Sequence, residues 1–352
     1  MIRSLKLNIS YANQGKLNSL DTLFIESKIV INKFIDILWE KQDFKSKFID
    51  FKIENTWLSS ALQQSLSKQA LETVKSQRKK LKKTKPIFKQ NSIVLDQRFI
   101  KDIQFDNNSF DIWIRLWNLG NHIILNIPSK RYNYFNKFVN NDWKLKKSIR
   151  LRKVNNQYFI DVFLKKEQPI LKLEGKKIGL DCGYKKLLIS SENKVYDNNL
   201  EQIYNKISRK KQGSKAFKRS LKERNDKISE SINKIEFNEI KTIIVEDLKD
   251  VKKNSKNKIN KNFNNKLQRW LYSKVLDKLS RSCEEKGIEF IKVNPAYTSQ
   301  ECSQCGFKHK DNRSKEQFLC LNCGYKTDAD YNASVNILKR GVYGSSFKKA
   351  NL

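Results

Sequence analysis

The chain is poor in acidic side chains and in histidine, and it lacks long apolar runs. Its 352 residues include 72 Lys and Arg but 37 Asp and Glu, which leaves a formal net charge of +35 at pH 7. No run of about 18 apolar residues and no lipidation motif occurs, so the sequence predicts no membrane partner. Its two histidines, His122 and His309, lie outside the motifs described below, so we expect chemistry without a histidine base.

The excess of basic side chains is larger than solubility requires and predicts a polyanionic partner. The codon usage of an AT-rich genome would explain many lysines, but it would not explain the twofold deficit of acids. We therefore expect a nucleic-acid partner that binds through counterion release and is sensitive to salt. The apolar run in MIRSLKLNI is too short for a signal peptide, so we expect a cytoplasmic, nucleoid-associated protein.

Four of the six cysteines have the spacing of a metal site. Cys302 and Cys305, then Cys320 and Cys323, form two C-x2-C pairs separated by fourteen residues. This spacing lets each pair offer two thiolates to one tetrahedral Zn2+, and the Gly-aromatic dipeptide after each pair suits the tight turn required. Two disulfides are the alternative, which a reducing compartment disfavours. We predict a structural zinc ribbon whose four thiolates leave no position for water.

Three acidic residues stand beside apolar segments in the C-terminal half. Asp181 follows the apolar run of KKIGL, Glu246 ends KTIIVE, and Asp330 opens a short segment with helical spacing. Taken alone, Asp330 is better explained as a helix N-cap, and Asp181 could be a turn residue. An Asp within apolar strands is costly to bury without an ionic partner. Three converging carboxylates would repel one another without divalent cations, and oxygen ligands favour Mg2+ or Mn2+.

The N-terminal half shows a different pattern. Apolar residues recur at helical spacing over 19–40 and 56–83, whereas residues from about 90 to 166 alternate as short strands. We predict a small antiparallel barrel or sandwich into which the two helices are inserted after the first strand. Trp113 and Trp117 fall opposite the aliphatic residues of their strand, where they either stack on bases or pack beneath the helices. We favour packing.

The acidic and cysteine motifs together resemble those of a known family. IGLDCG, IIVEDL and DADYNA resemble the three split motifs of a RuvC nuclease domain. YTSQECSQCG and CLNCGY resemble the zinc ribbon of the transposon-encoded TnpB (OrfB) family, which is related to compact type V CRISPR effectors. The resemblance covers roughly residues 172–341, and the N-terminal half is similar only in kind.

The resemblance implies an α+β multidomain fold. We expect an N-terminal, wedge-like β-barrel at 1–170 with a helical insert at about 17–85, which recognises guide RNA and DNA. An RNase H-like (RuvC) α/β domain would occupy 171–297 and 325–341. The remaining parts are an inserted zinc ribbon at 298–324 and a C-terminal tail at 342–352.

The resemblance also implies an RNA-guided endonuclease that cleaves double-stranded target DNA beside a short flanking motif. Asp181, Glu246 and Asp330 match the family's three acids, and Asp328 is the less favoured candidate for the third. Cys182 stands where the family commonly has an aliphatic residue. We predict two-metal phosphodiester hydrolysis, with Asp181 bridging two Mg2+ and the other two acids each holding one.

Two interpretations without cleavage stay open at this point. One is an RNA-guided DNA-binding repressor, and the other is a transposition accessory protein that works through its ribbon and basic surface. The complete acid set argues against both. The sequence gives no information on the guide RNA, the flanking motif, the cut positions or the oligomeric state.

Overall fold

The computed structural model describes residues 1–41, 52–80, 84–105, 109–139, 142–197, 200–248 and 272–344. The chain divides into two compact units, Met1–Glu167 and Gln168–Leu352. Both units combine helices with strands, so the predicted α+β class is confirmed at this level. Among the described residues, no helix is long and apolar enough to cross a membrane.

The first unit is built mainly from antiparallel strands. Four strands pair in the order β1–β7–β6–β2 and three in the order β3–β4–β5. Two long helices follow the first strand, at the place predicted for the helical insert. In chain order the elements are β1 (Ile2–Asn8), α1 (Gln14–Lys41), α2 (Ser60–Arg78), β2 (Ser92–Asp96), β3 (Ile100–Phe105), β4 (Ile112–Leu116), β5 (Leu125–Ser129), α3 (Asn133–Val139), β6 (Lys144–Val154) and β7 (Gln157–Lys165).

The strands of this unit do not form the predicted closed barrel. Over the described ranges, their hydrogen bonds produce one four-stranded and one three-stranded open sheet. The pairing shifts register within β6, between Leu145 and Ile149, and within β3, between Ile100 and Asp102. Such irregularities bend a strand and interrupt its ladder. A single hydrophobic cluster takes in both sheets and both long helices, so the unit has one core without closure of the sheets.

Trp113 and Trp117 lie outside that core. The three aliphatic side chains of β4 are buried, and strand alternation turns the neighbouring tryptophans to the other face. Trp117 is 43% exposed. The Trp113 ring meets the Phe110 ring edge-on, with 5.7 Å between the ring centroids. The predicted packing beneath the helices is therefore wrong for Trp117, whereas the half-buried Trp113 ring also lies 5.8 Å from the Lys16 ammonium of α1.

The second unit contains a mostly parallel sheet and a separate small hairpin sheet. The large sheet has the order β11–β10–β8–β9, in which the first three strands are parallel and β9 is antiparallel. The small sheet has the order β12–β13–β14. In chain order the elements are β8 (Lys176–Asp181), β9 (Ile189–Ser190), α4 (Leu200–Ser208), α5 (Lys215–Asn233), β10 (Ile240–Glu246), α6 (Tyr272–Lys286), β11 (Glu289–Val293), β12 (Arg313–Ser314), β13 (Gln317–Leu319), β14 (Lys326–Asp328) and α7 (Ala329–Tyr343).

Helices cover both faces of the large sheet, and strand alternation decides which residues meet each helix. Ile178 and Leu180 of β8, with Ile243 and Val245 of β10, share one hydrophobic cluster with α4, α5 and α6. The basic stretch at 200–236 is thus an α-helical hairpin whose apolar side packs on the sheet. Its predicted contact with nucleic acid stays a prediction.

Helix α7 lies against the opposite face of the sheet. It contacts the alternate residues Gly179 of β8 and Ile244 of β10. A Cβ atom added to Gly179 would lie 2.2 Å from the Ser334 carbonyl oxygen. A Cβ atom added to Gly341 would lie 2.6 Å from side-chain atoms of Ile244. Two residues further along the same strands, on the same face, come Asp181 and Glu246. The close approach of α7 therefore positions its first turn near these two acids.

Candidate active site and zinc ribbon

The three predicted acids lie near one another at one edge of the parallel sheet, where the charges of Glu246 and Asp330 act on Asp181. Asp181 is the last residue of β8, and Glu246 is the last residue of its parallel neighbour β10. Parallel strands end at a common edge, and alternation turns both side chains toward α7. Asp330 lies in the first turn of α7. The fold therefore brings these residues together from three distant parts of the sequence.

The pKa values of Asp181 and Glu246 are raised by their surroundings. Burial, and after it the charges of Glu246 and Asp330, hold the pKa of Asp181 well above its usual value. Burial also raises the pKa of Glu246, although a hydrogen bond from Thr298 opposes that shift. The negative charges of the three carboxylates therefore lie in a site that is largely shielded from solvent. A divalent cation bound among the three oxygens would relieve the repulsion.

Arg313 reaches the same carboxylates from the zinc ribbon. Its Nη2 atom lies 2.8 Å from Asp330 Oδ1. Its charge lowers the pKa of both Asp181 and Glu246, against the larger effect of burial. Arg313 begins β12, within the spacer between the two cysteine pairs. It carries no signal in the sequence, because it is one of 72 basic residues and no motif contains it.

Asp328, not Asp330, performs the helix-capping role. Its Oδ1 atom accepts hydrogen bonds from the amides of Asp330 and Tyr331, at 3.0 and 3.1 Å. Lys186 donates a further hydrogen bond to its Oδ2 atom. Burial raises the pKa of Asp328, but Lys186 and the two amides outweigh burial and lower it. Asp330 lies inside the helix and its charge acts on Asp181, which makes it the better candidate for the third acid.

Glu246 is held by hydrogen bonds to its main chain and its side chain. The Tyr272 hydroxyl donates to the Glu246 carbonyl oxygen and accepts from the Leu248 amide at 2.9 Å. The Thr298 hydroxyl donates to Glu246 Oε1. Both hydroxyl-bearing residues are buried. The end of β10 therefore has a defined backbone and a defined carboxylate position.

The four ribbon cysteines form one tight cluster of sulfurs. The Sγ atoms of Cys302 and Cys323 are 3.7 Å apart, and those of Cys305 and Cys320 are 3.5 Å apart. All four Sγ atoms lie within 4.8 Å of one another. Zn–S bonds of about 2.3 Å would separate tetrahedral sulfurs by about 3.8 Å, whereas a disulfide requires about 2 Å. The donor set therefore fits Zn2+ and not two disulfides.

Both cysteine turns have the same backbone. Gly306 and Gly324 each have a φ of +73°, in the left-handed region that favours glycine. Their amides donate to the carbonyl oxygens of Cys302 and Cys320, both at 2.9 Å. Each Gly that follows a cysteine pair is therefore required by the turn, as the sequence predicts. His309 is 42% exposed at its side chain and does not belong to the sulfur cluster.

Comparison with known proteins assigns the C-terminal region. A family model described as "Cas12f1-like, TNB domain" matches residues 272–337. A TnpB-like protein of Aquifex aeolicus is 37% identical over 79 residues, which cover 22% of this chain and 26% of that protein. A candidate transposase of Methanocaldococcus jannaschii is 39% identical over 85 residues, which cover 21% of this chain and 78% of that protein. The chain belongs to the TnpB family.

The chain is also similar to a CRISPR-associated nuclease. A CRISPR-associated endodeoxyribonuclease Cas12f1 of Sulfoacidibacillus thermotolerans is 47% identical over 72 residues, which cover 20% of this chain and 17% of that protein. The chain thus matches less than a fifth of that relative's length. The structural likeness extends over more of the chain. The match to Cas12f1, solved in a complex with guide RNA and target DNA, covers 96% of this chain and 98% of the Cas12f1 chain. That match has a TM-score of 0.61 at 15% identity, so it concerns the fold alone.

Proposed function

We propose that the protein is an RNA-guided DNA endonuclease encoded by a transposable element. It would bind a guide RNA and cleave double-stranded target DNA beside a short flanking motif. The observation that carries this proposal is the proximity of Asp181, Glu246 and Asp330 at the ends of β8 and β10 and the start of α7, where their charges interact. Support for the partners comes from the net charge of +35 and from a relative, Cas12f1, that was solved with guide RNA and target DNA.

The finer architecture follows from the same proposal. Residues 171–297 and 325–341 would form the RNase H-like (RuvC) domain, since a parallel sheet with helices on both faces supports that assignment. Residues 298–324 would be the inserted zinc ribbon. Residues 1–170 would recognise guide RNA and DNA in the cytoplasm, at the nucleoid. Of the predicted tail at 342–352, residues 345–352 fall outside the described part of the chain.

The three carboxylates would hold Mg2+ or Mn2+. Their donor atoms are all oxygens, and burial, followed by the charges of Glu246 and Asp330, raises the pKa of Asp181. Asp181, Glu246 and Asp330 would hold the ions. The bound ions would activate the attacking water and stabilise the leaving 3′ oxygen.

The protein's own groups organise this edge of the sheet for an anionic substrate. The Thr298 hydroxyl and the Tyr272 hydroxyl fix the carboxylate and the backbone of Glu246. A phosphodiester that enters this site has to approach three negative carboxylates. The positive charge of Arg313, beside Asp330, would reduce that repulsion. No histidine is needed for proton transfer in this arrangement.

The test begins with the protein expressed together with its flanking DNA. RNA that co-purifies with the protein is sequenced, and the complex is mixed with a plasmid that carries the matched target beside randomised flanks. Double-strand cleavage should require Mg2+, the matched target and Asp181, and it should stop in EDTA. Asp277→Asn is the matched control for Asp181→Asn, because Asp277 is exposed on α6 and pairs only with Arg281 among the ion pairs described there.

Other outcomes would change the proposal. Target binding by a bound RNA without any cleavage would favour the non-cleaving repressor. Purified protein without a defined RNA would contradict the guided mechanism. Equal cleavage by Asp181→Asn and Asp277→Asn would contradict the role of the acid set.

A further inference from the structure

Thr298 connects the zinc ribbon to Glu246 without belonging to either metal-ligand set. It lies four residues before Cys302 and is 2% exposed. Its Oγ1 atom donates to Glu246 Oε1 and also lies 3.0 Å from the Pro295 carbonyl oxygen. A hydroxyl has one hydrogen, and the ionised carboxylate is the stronger of the two acceptors. The Thr298 hydroxyl is therefore available to fix one oxygen of Glu246.

The backbone that carries Thr298 is itself held in place. The preceding residue, Tyr297, has a φ of +68°, and its carbonyl oxygen accepts from the amides of Gln300 and Glu301, both at 3.0 Å. Lys308 places its Nζ atom 3.0 Å from the centroid of the Tyr297 ring. A non-glycine residue in the left-handed region persists only where its surroundings determine it. The turn at 297–301 is thus a rigid support for Thr298.

The same turn is tied to the helix that carries the third acid. Asn336 Nδ2 donates to the carbonyl oxygens of Thr298 and Glu301, at 2.9 and 2.7 Å. Asn332 Nδ2 donates to the Glu301 carbonyl oxygen at 2.8 Å, and Asn332 Oδ1 accepts from the Ser303 amide at 2.9 Å. Both asparagines belong to α7 and are buried. Helix α7, the turn before the first zinc ligand and Glu246 thereby form one connected network.

We infer that Thr298 is a positioning residue that sets the Glu246 carboxylate relative to Asp330 for divalent-ion binding. The inference rests on the proposed metal centre, although it does not require that the centre cleaves DNA. Loss of a partner that orients a ligand lowers metal affinity by about 10- to 100-fold. The hydroxyl should account for this effect, because the side-chain methyl makes no hydrogen bond.

Three variants isolate the hydroxyl. Thr298→Ser and Thr298→Ala both lack the methyl group and differ only in the hydroxyl, while Thr298→Val keeps the shape without the donor. Mn2+ binding to the full-length protein is measured by electron paramagnetic resonance of free Mn2+. Zinc content and thermal unfolding show whether each variant is folded. We expect Thr298→Ala and Thr298→Val to bind Mn2+ about 10- to 100-fold more weakly than Thr298→Ser, which should stay close to the wild type.

The outcomes separate this inference from the proposed nuclease function. Equal Mn2+ affinities for Thr298→Ser and Thr298→Ala would overturn it, because the hydroxyl would then have no role. If Mn2+ binding to the wild type did not depend on Asp181, the metal centre would fail and the inference with it. If the predicted affinity difference were found in a protein that cleaves no DNA, it would support the positioning role of Thr298 and contradict only the nuclease proposal.

Discussion

Replacement of Gly179 by alanine tests the packing that brings the acids together. The new Cβ atom would lie 2.2 Å from the Ser334 carbonyl oxygen and 2.6 Å from the Leu338 amide nitrogen. Both atoms belong to the backbone of α7, so no side chain can rotate away. Restoring an ordinary contact of at least 3.4 Å requires α7 to move by about 1 Å from β8. The helix carries Asp330, so this movement also withdraws the third acid.

The expected loss of stability follows from two opposing contributions. Overpacking of a close helix–strand contact costs about 1–3 kcal/mol. The reduced freedom of the unfolded chain returns about 0.4–1 kcal/mol when Gly becomes Ala. A net loss of about 1–2 kcal/mol lowers the Tm of a unit of this size by about 2–8 °C.

Calorimetry on Gly179→Ala and Gly15→Ala measures this effect against the same chemical change at an open position. A Cβ atom on Gly15 meets only Asn13 Oδ1, at 3.8 Å, so this variant should keep or slightly raise the Tm. Target cleavage should fall in Gly179→Ala and be retained in Gly15→Ala. An unchanged Tm together with full cleavage in Gly179→Ala would refute the close packing of α7 on β8.

Three further predictions concern the acids and the zinc. Asp330→Ala should abolish target cleavage, whereas Asp328→Ala should lose about 1 kcal/mol of stability with its helix cap and still cleave; the reverse pattern in plasmid cleavage would move the third acid to Asp328. The protein should contain one Zn2+ per chain in a colorimetric zinc assay, and Cys305→Ser should lose it; a zinc-free protein with an unchanged Tm would contradict the ribbon. In Mg2+-free buffer, the raised pKa of Asp181 keeps a proton on the native state that the unfolded state releases, so the free energy of unfolding should fall as pH rises above about 4. Denaturant titration should show a weaker decrease for Asp181→Asn, and an identical pH dependence would contradict the raised pKa.

The acids at the strand ends are predictable because two local patterns coincide. Asp181 and Glu246 each end an apolar strand, and parallel strands share an edge at which their last residues meet. The four cysteines are predictable for a similar reason, since two short spacings define both turns of the ribbon. Short-range spacing is sufficient in both cases, and the structure adds the α7 contact at Gly179 that joins the motifs.

The supporting residues are not predictable from spacing. Arg313 reaches Asp330 only because the ribbon hairpin folds back onto α7. Thr298 and Glu246 are 52 residues apart in the chain, and a Thr next to a cysteine motif has no distinctive pattern. The pairing of the first unit's strands in two open sheets, rather than in a closed barrel, is unpredictable for a comparable reason. Alternation identifies the buried face of each strand, but the partner of each strand depends on tertiary packing.

The central claim is that Asp181, Glu246 and Asp330 form one divalent-metal centre. Anomalous diffraction from crystals of the full-length protein grown with Mn2+ tests this claim directly. The account predicts Mn2+ peaks at coordination distance, about 2.0–2.5 Å, from oxygens of all three carboxylates. Mn2+ bound elsewhere, with Arg313 still paired to Asp330 and no ion at Asp181, would contradict it.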